Sequence, residues 1–257
     1  MSDSSAAASD EVKALFRYPG DSFIVRAALE GHMGHVAVRG SSATASFSAR
    51  LTLGVFTFLA GAADPALLSS AATPIVVALE PEWTALLAAQ PPPARRPYIR
   101  CPMLATRASF DAVRLQRYVA ACPDAYTVVA ITEALAERTR AQEWSSDLCG
   151  NFHDAADFVT RGFGFVAVER DTGDIAAGAA SFAVCDAGIE VEVDTAERHQ
   201  RRGLALACSA RLLLECLHRN LHPSWDAHVP HSVHLAEKLG YTRGVPYTAY
   251  IDELPSA

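Results

Sequence analysis

Apolar and polar positions recur along this chain with two different periods, and each change of period marks an element. His35-Val36-Ala37-Val38, Leu51-Thr52-Leu53-Gly54-Val55-Phe56 and Ile75-Val76-Val77-Ala78-Leu79 are short alternating or β-branched runs that predict strands. Pro81 to Gln90 and Phe110 to Ala121 carry apolar residues at helical spacing and predict helices. Between them, Gln90-Pro91-Pro92-Pro93-Ala94-Arg95-Arg96-Pro97 predicts a stiff, extended connection, because proline fixes φ and supplies no N–H. The first ten residues, rich in Ser, Ala and Asp, predict a frayed start.

Cys122-Pro123-Asp124 is the natural boundary, dividing a mixed N-terminal domain (1–122) from a second domain (123–257). After it the pattern sharpens. Ala125–Ile131 predicts a strand, Thr132 to Glu143 a helix, Asp154–Arg161 a second helical piece and Phe163–Glu169 a strand. Asp171-Thr172-Gly173-Asp174 predicts a turn into the partner strand Ile175–Val184. Ile189–Thr195 predicts a strand, Leu204–Asn220 a long helix, Ser224–His228 a short strand, and His231–Leu239 a helix before a closing strand Tyr241–Ile251. This succession is a mixed α/β fold: a central mixed sheet flanked by helices, with a smaller α/β domain before it.

Composition narrows the function classes. Half of the 257 residues are apolar and a fifth are charged, enough for a sizeable core. The formal net charge of −7 sets the bulk field against nucleic acid and anionic membrane, so a local cluster of positive charge is informative. The start lacks the features of a secretory or transit segment, and the apolar stretch from Leu51 to Ala63 is too short to span a bilayer. The six cysteines include no Cys-x-x-Cys pair, which suits free thiols in a reducing compartment, and the cytoplasm is the expected location.

The chemistry concentrates at Thr195-Ala196-Glu197-Arg198-His199-Gln200-Arg201-Arg202-Gly203-Leu204-Ala205, where a strand ends and the long helix opens. A glycine there admits close approach of a ligand, and unpaired N–H groups with the helix dipole make an anion site. Arg198, Arg201 and Arg202 add positive charge in an acidic chain, so a pyrophosphate fits this junction. No Gly-Lys-Ser/Thr follows, and no Gly-x-Gly-x-x-Gly is present.

Gln200-Arg201-Arg202-Gly203-Leu204-Ala205 does resemble the Gln/Arg-x-x-Gly-x-Gly/Ala signature of the GCN5-related N-acetyltransferase (GNAT) superfamily. Glu190-Val191-Glu192-Val193-Asp194-Thr195, Trp225-Asp226 and Ser232-x-x-x-Ala236-Glu237-Lys238-Leu239-Gly240-Tyr241 resemble the branch that includes the zwittermicin-resistance acetyltransferases. Phe56–Gly61 and Pro81-Glu82-Trp83 extend a weaker likeness toward the N-terminus. The resemblance implies two strands, Gly188–Thr195 and Ser224–His228, that splay apart so that pantetheine lies between them. It implies acetyl-CoA as co-substrate, held at Val193, Asp194, Thr195, Gln200, Arg201, Arg202, Gly203, Leu204, Ala205 and Ser232. It also implies direct transfer to an amine of a small molecule, with no covalent enzyme intermediate.

An amine must lose a proton before attack, and a carboxylate near the thioester can accept it. Strand alternation puts Glu190, Glu192 and Asp194 on one face, where like charges raise at least one pKa. The resemblance favours Glu190 as general base, with Glu192 close behind. Many superfamily members protonate the departing thiolate from a tyrosine in the last helix. Ala236 stands at that position, which leaves Ser232, His234, Tyr241 and Tyr247 as alternatives and an acyl-CoA-binding protein of weak or no activity as the competing reading. Val229 stands where the pattern expects an asparagine N-cap. His228, His231 and His234 have no His-Glu-x-x-His context or cysteine pair, so no metal is expected. Arg211, Glu215, His218 and Arg219 share one stripe of the long helix, the pattern of a buried helix with a thin wet edge.

Overall fold

The computed structural model describes residues 7–16, 22–43, 46–69, 73–90 and 95–252. The chain forms two compact units, residues 1–101 with 245–257 and residues 102–244. Cys122 and Pro123 lie inside the second unit, between a helix and a strand.

In the first unit, helices α1 (Asp10–Leu15) and α2 (Phe23–Leu29) precede strands β1 (His35–Arg39), β2 (Ser48–Leu53) and β3 (Phe56–Gly61). Helix α3 (Pro65–Ser69), β4 (Ile75–Ala78), α4 (Pro81–Ala88) and β5 (Arg96–Leu104) follow, and Tyr247–Ile251 (β12) returns to this unit. The strand order is β1-β2-β3-β4-β12-β5, antiparallel except for β3 beside β4. The single strand predicted over Leu51–Phe56 is instead a hairpin. Gly54 takes φ +54 in the turn, and Leu53 pairs with Phe56 across it. Trp83 of α4 is fully buried among Leu59, Leu67, Val76 and Leu87. Its indole N–H donates to Gly61 O at 2.9 Å, so the ring is buried without an orphan donor. Helices α1, α2 and α3 and strand β5 are additional to the predicted elements; Pro97 and Pro102 disguise β5. Pro91–Ala94 of the predicted extended connection and residues 1–6 of the frayed start lie outside the described residues.

The second unit opens with α5 (Ala112–Ala120), β6 (Tyr126–Ala130), α6 (Glu133–Arg140), a 3₁₀ segment (Glu143–Leu148) and α7 (Ala155–Arg161). Then come β7 (Gly164–Glu169), β8 (Ile175–Cys185), β9 (Gly188–Thr195), a 3₁₀ turn (Glu197–His199), α8 (Leu204–Arg219), β10 (His222–Ala227), α9 (Pro230–Leu239) and β11 (Thr242–Arg243). The sheet runs β10-β9-β8-β7-β6, antiparallel except for β10 beside β9. Thr132 caps α6 by accepting from Leu135 N–H at 3.3 Å, and Asp154 caps α7 by accepting from Asp157 N–H at 2.8 Å.

Helix α8 has the wet edge its sequence predicts. Glu215 accepts from Arg211 at 3.2 Å and from Arg219 at 2.9 Å, while the two guanidinium groups lie 4.3 Å from the ring centroids of Phe165 and Phe163. The closing strand predicted over Tyr241–Ile251 is broken. Thr242 and Arg243 pair with Leu104 and Met103, whereas Tyr247–Ile251 joins the first unit's sheet. Gly244 and Pro246 separate the pieces, and a Cβ on Gly244 would meet Pro102 O at 2.8 Å.

Candidate active site

Strands β9 and β10 pair over only three residues each, His222 with Gly188, Pro223 with Ile189 and Ser224 with Glu190. Both strands continue, β9 to Thr195 and β10 to Ala227. The backbone of Val191–Thr195 therefore has no pairing partner on β10, while its other edge stays bonded to β8. β8 carries an irregularity opposite this point: Ser181 pairs with Val191 and Ala183 with Glu190, so Phe182 is the extra residue. Extra residues of this kind bend a strand and increase its twist.

The turn after β9 brings a second feature to the same end of the sheet. Arg201 and Gly203 both take left-handed backbone, at φ +59 and φ +82. Gly203 is the N-cap of the 16-residue α8 and makes no side-chain cap bond. A Cβ built on Gly203 would find nothing within 4 Å. The uncapped N–H groups of the first turn thus open onto free space, with the helix dipole behind them. Leu204 is buried and Ala205 half-buried behind this opening.

The three arginines do different things. Arg202 donates to the Tyr126 hydroxyl at 3.0 Å and to Arg198 O at 3.1 Å. Arg198 donates to His199 Nε2 at 2.9 Å and to Asp174 at 2.7 Å. Arg201 is exposed, with no side-chain partner among the described residues, and so is the arginine available to an anion. Gln200 beside it is exposed as well.

The carboxylates of β9 also separate. Glu190 is buried, 4 % exposed, and close enough to Tyr241 to push the phenol's pKa up. Glu192 is half-buried and accepts from Val193 N–H at 3.1 Å. Asp194 is pushed from 3.8 up to about 6, first by burial and then by the Asp147 carboxylate. Asp147 belongs to the 3₁₀ segment, which docks on β8 where Leu148 fills the space above Gly178, the residue paired with Asp194. A carboxylate with a raised pKa thus stands on this strand at Asp194, and its causes are burial and the Asp147 carboxylate. Sequence periodicity gives no sign of Asp147, because the contact is long-range.

On β10, Trp225 donates its indole N–H to Ser232 Oγ at 3.1 Å. Tyr241 is fully buried, donates its hydroxyl proton to Pro223 O at 2.8 Å, and packs edge-on against Phe110. Its pKa lies well above the phenol range because of burial, with Cys216 and Glu190 adding to the rise. Val229 is the N-cap of α9 and makes no side-chain cap bond, with Pro230 opening the helix.

A family model described as GNAT acetyltransferase matches residues 13–250. The chain belongs to the GNAT acetyltransferase family. A GCN5-related N-acetyltransferase-like protein from Streptococcus suis 89/1591 is 37 % identical over 90 % of this chain and 93 % of its own, with a TM-score of 0.82. A GCN5-related N-acetyltransferase from Kribbella flavida shares the fold at 17 % identity and a TM-score of 0.53, covering 85 % of this chain and 91 % of its own. A tandem GNAT protein from the clavulanic acid biosynthesis pathway shares it at 16 % identity and 0.51, covering 87 % and 84 %. No curated protein matches the chain.

Val193, Asp194 and Thr195, which have no β10 partner, lead to the uncapped turn at Gly203. The chemistry of the donor set suits an acyl-CoA, whose pantetheine offers amides to a strand edge and whose diphosphate is an anion. Tyr126 and His199, which are hydrogen-bonded to each other beside Arg202, carry no sequence signal that marks them as a pair. Tyr126 lies some seventy positions away on β6, and only the sheet brings it here.

Proposed function

We propose that the protein transfers an acetyl group from acetyl-CoA directly to an amine of a small molecule, within a ternary complex. The observation that carries this reading is the end of β9–β10 pairing at Ser224 and Glu190, with both strands continuing toward the uncapped Gly203 turn. Val193, Asp194 and Thr195 offer backbone groups to the pantetheine amides. Leu204, Ala205 and Gly203 offer N–H groups to the diphosphate, with Gln200 and Arg201 beside it and Arg202 behind the turn.

Glu190 takes the proton from the amine, directly or through water, and the nitrogen lone pair forms the new C–N bond at the thioester carbonyl. Collapse breaks the C–S bond, and the departing thiolate takes a proton. Ser232 suits that donation better than Tyr241. Its oxygen accepts from Trp225 and its own hydrogen remains available, whereas the Tyr241 hydrogen is committed to Pro223 O. Glu192 is the second candidate base. The acidic strand favours a cationic acceptor, and the likeness to the zwittermicin-resistance branch points to an aminopolyol or a related amine. A cytoplasmic location fits this chemistry; among the described residues no helix is long and apolar enough to cross a membrane.

Ala236, fully buried in α9, favours the second reading, an acyl-CoA-binding protein of weak activity. Calorimetry of acetyl-CoA with wild type and Gly203→Glu tests the donor site first, and micromolar binding abolished by the variant is the expected result. Turnover with a panel of amines, lost in Glu190→Gln while binding persists, then separates the enzyme from the binding protein. A well-folded wild type that fails to bind acetyl-CoA overturns both readings.

A further inference from the structure

A chain of hydrogen bonds, buried at Tyr126 and His199 and exposed at its arginine ends, runs beside the Gly203 turn and takes no part in the chemistry above. Tyr126 and His199 are each 3 % exposed. The Tyr126 hydroxyl lies 2.8 Å from His199 Nδ1 and 3.0 Å from the Arg202 guanidinium, and the two rings meet edge to face at 5.6 Å. On its other side His199 Nε2 lies 2.9 Å from Arg198 Nε, and Arg198 reaches Asp174 at 2.7 Å. Asp174 is held below the usual carboxylate range, first by its bond from Arg198.

We propose that Tyr126 and His199 are positioning residues for the diphosphate of the acyl donor, holding Arg202 and the left-handed Arg201–Gly203 turn in ligand-ready form. The inference rests on the acyl-CoA site proposed above and names what builds it. A guanidinium only donates, so Arg198 Nε–H requires a lone pair on His199 Nε2, and the ring proton must sit on Nδ1. Nδ1–H then donates to the Tyr126 oxygen, which also accepts from Arg202. That oxygen thus fixes the guanidinium of Arg202, the residue next to Arg201, whose non-glycine left-handed backbone needs outside support. Arg202 and Arg198 are occupied as braces, and Arg201 is left to meet the ligand.

This arrangement tolerates only neutral imidazole. Protonation would place Nε2–H against Arg198 Nε–H, two donors in one bond. The groups facing His199 are Arg198 and Arg202 from its own segment, Tyr126 from β6, Glu169 at the end of β7 and Asp174 in the following turn. Burial and the two arginines lower the His199 pKa, against the opposite pull of Glu169 and Asp174. With the folded pKa depressed, the neutral, ordered turn is present at neutral pH and is lost as pH falls through that lowered value. Bare electrostatics predicts the reverse, since an added positive charge beside a diphosphate strengthens binding.

Calorimetry of dephospho-acetyl-CoA, which lacks the titrating 3′-phosphate, decides between them from about pH 7.5 to 5. The expected result is wild-type affinity falling roughly tenfold across that range and a flat profile in His199→Gln. Tyr126→Phe should weaken binding about tenfold at pH 7.5, with kcat at saturating donor within about twofold of wild type and a circular dichroism spectrum unchanged. Imidazole ¹⁵N spectra of ligand-free protein should show the Nδ1–H tautomer, a readout independent of any ligand. Tighter or unchanged wild-type binding at low pH, a parallel slope in His199→Gln, or the Nε2–H tautomer would overturn the inference. Absence of donor binding at pH 7.5 alongside the Nδ1–H tautomer would instead locate the failure in the acyl-CoA reading.

Discussion

Replacing Asp194 by Asn should stabilise the protein at neutral and alkaline pH and do nothing in acid. Burial and the Asp147 carboxylate raise the Asp194 pKa from 3.8 to about 6, so the folded state holds this proton more tightly than the unfolded chain does. A group with a raised folded pKa stabilises fully below its unfolded value and loses that contribution as pH rises through its folded one. The loss therefore develops between about pH 4 and pH 6, and above it the buried charge costs up to about 3 kcal/mol. Asparagine keeps the shape and removes the charge. For a protein of this size, the melting temperature should rise by roughly 5–10 °C at pH 8, with variant and wild type converging at pH 4. Thermal melts followed by intrinsic fluorescence at unit pH steps measure both curves. Asp147→Asn should give a smaller gain of the same sign, since it removes only the second of the two causes. A constant difference at every pH, or a wild type more stable than Asp194→Asn at pH 8, would refute the reasoning. The expected gain also has a functional sense: a chain that keeps a destabilising carboxylate pair beside its open strand edge retains it against stability.

Three further outcomes follow from packing and backbone. Gly178→Ala puts a Cβ 2.5 Å from Leu148 Cδ1 and should cost about 1–3 kcal/mol by displacing the segment that carries Asp147; its pH-dependence of stability should flatten toward that of Asp147→Asn, and an unchanged melt would count against the docking described. Gly203→Ala meets no atom within 4 Å, so its stability cost should be only the roughly 1 kcal/mol of left-handed backbone, read by urea denaturation, while acetyl-CoA affinity falls more steeply because the methyl enters the anion space. Burial pushes the Cys149 thiol up to about 11, Cys216 up to about 12 and Cys208 higher still, and Cys185 is buried, so Ellman's reagent at pH 8 should titrate quickly no more than Cys101 and Cys122; additional fast equivalents from native protein would contradict the burial.

Much of the second unit is legible in the sequence because its elements are local. Thr132 and Asp154 announce their helices as caps, the Asp171–Asp174 turn separates two alternating runs, and α8 shows its single polar stripe. The Gln200–Ala205 motif is legible for the same reason: a glycine, a left-handed turn and a helix start are properties of adjacent residues. The first unit is harder to read. The Leu51–Phe56 run hides a two-residue hairpin, since Gly54 serves a strand pattern and a turn equally well, and the prolines of β5 argue against the strand they occupy.

Only the tertiary structure decided how the site is divided among its residues. That β9 and β10 stop pairing after Glu190 and Ser224, opposite the irregularity at Phe182 in β8, is not something that alternation records. Three arginines that look equivalent in sequence become two that are held by protein partners and one, Arg201, with no side-chain partner among the described residues, because Tyr126 arrives from β6 and Asp174 from the turn before β8. The pKa of Asp194 is raised because it is buried and because the segment that sets Leu148 on Gly178 brings Asp147 near it. The sequence determined the motif and its chemistry, which depend on neighbours along the chain. The fold determined charge state and partner, because burial and Coulomb interactions depend on neighbours in space.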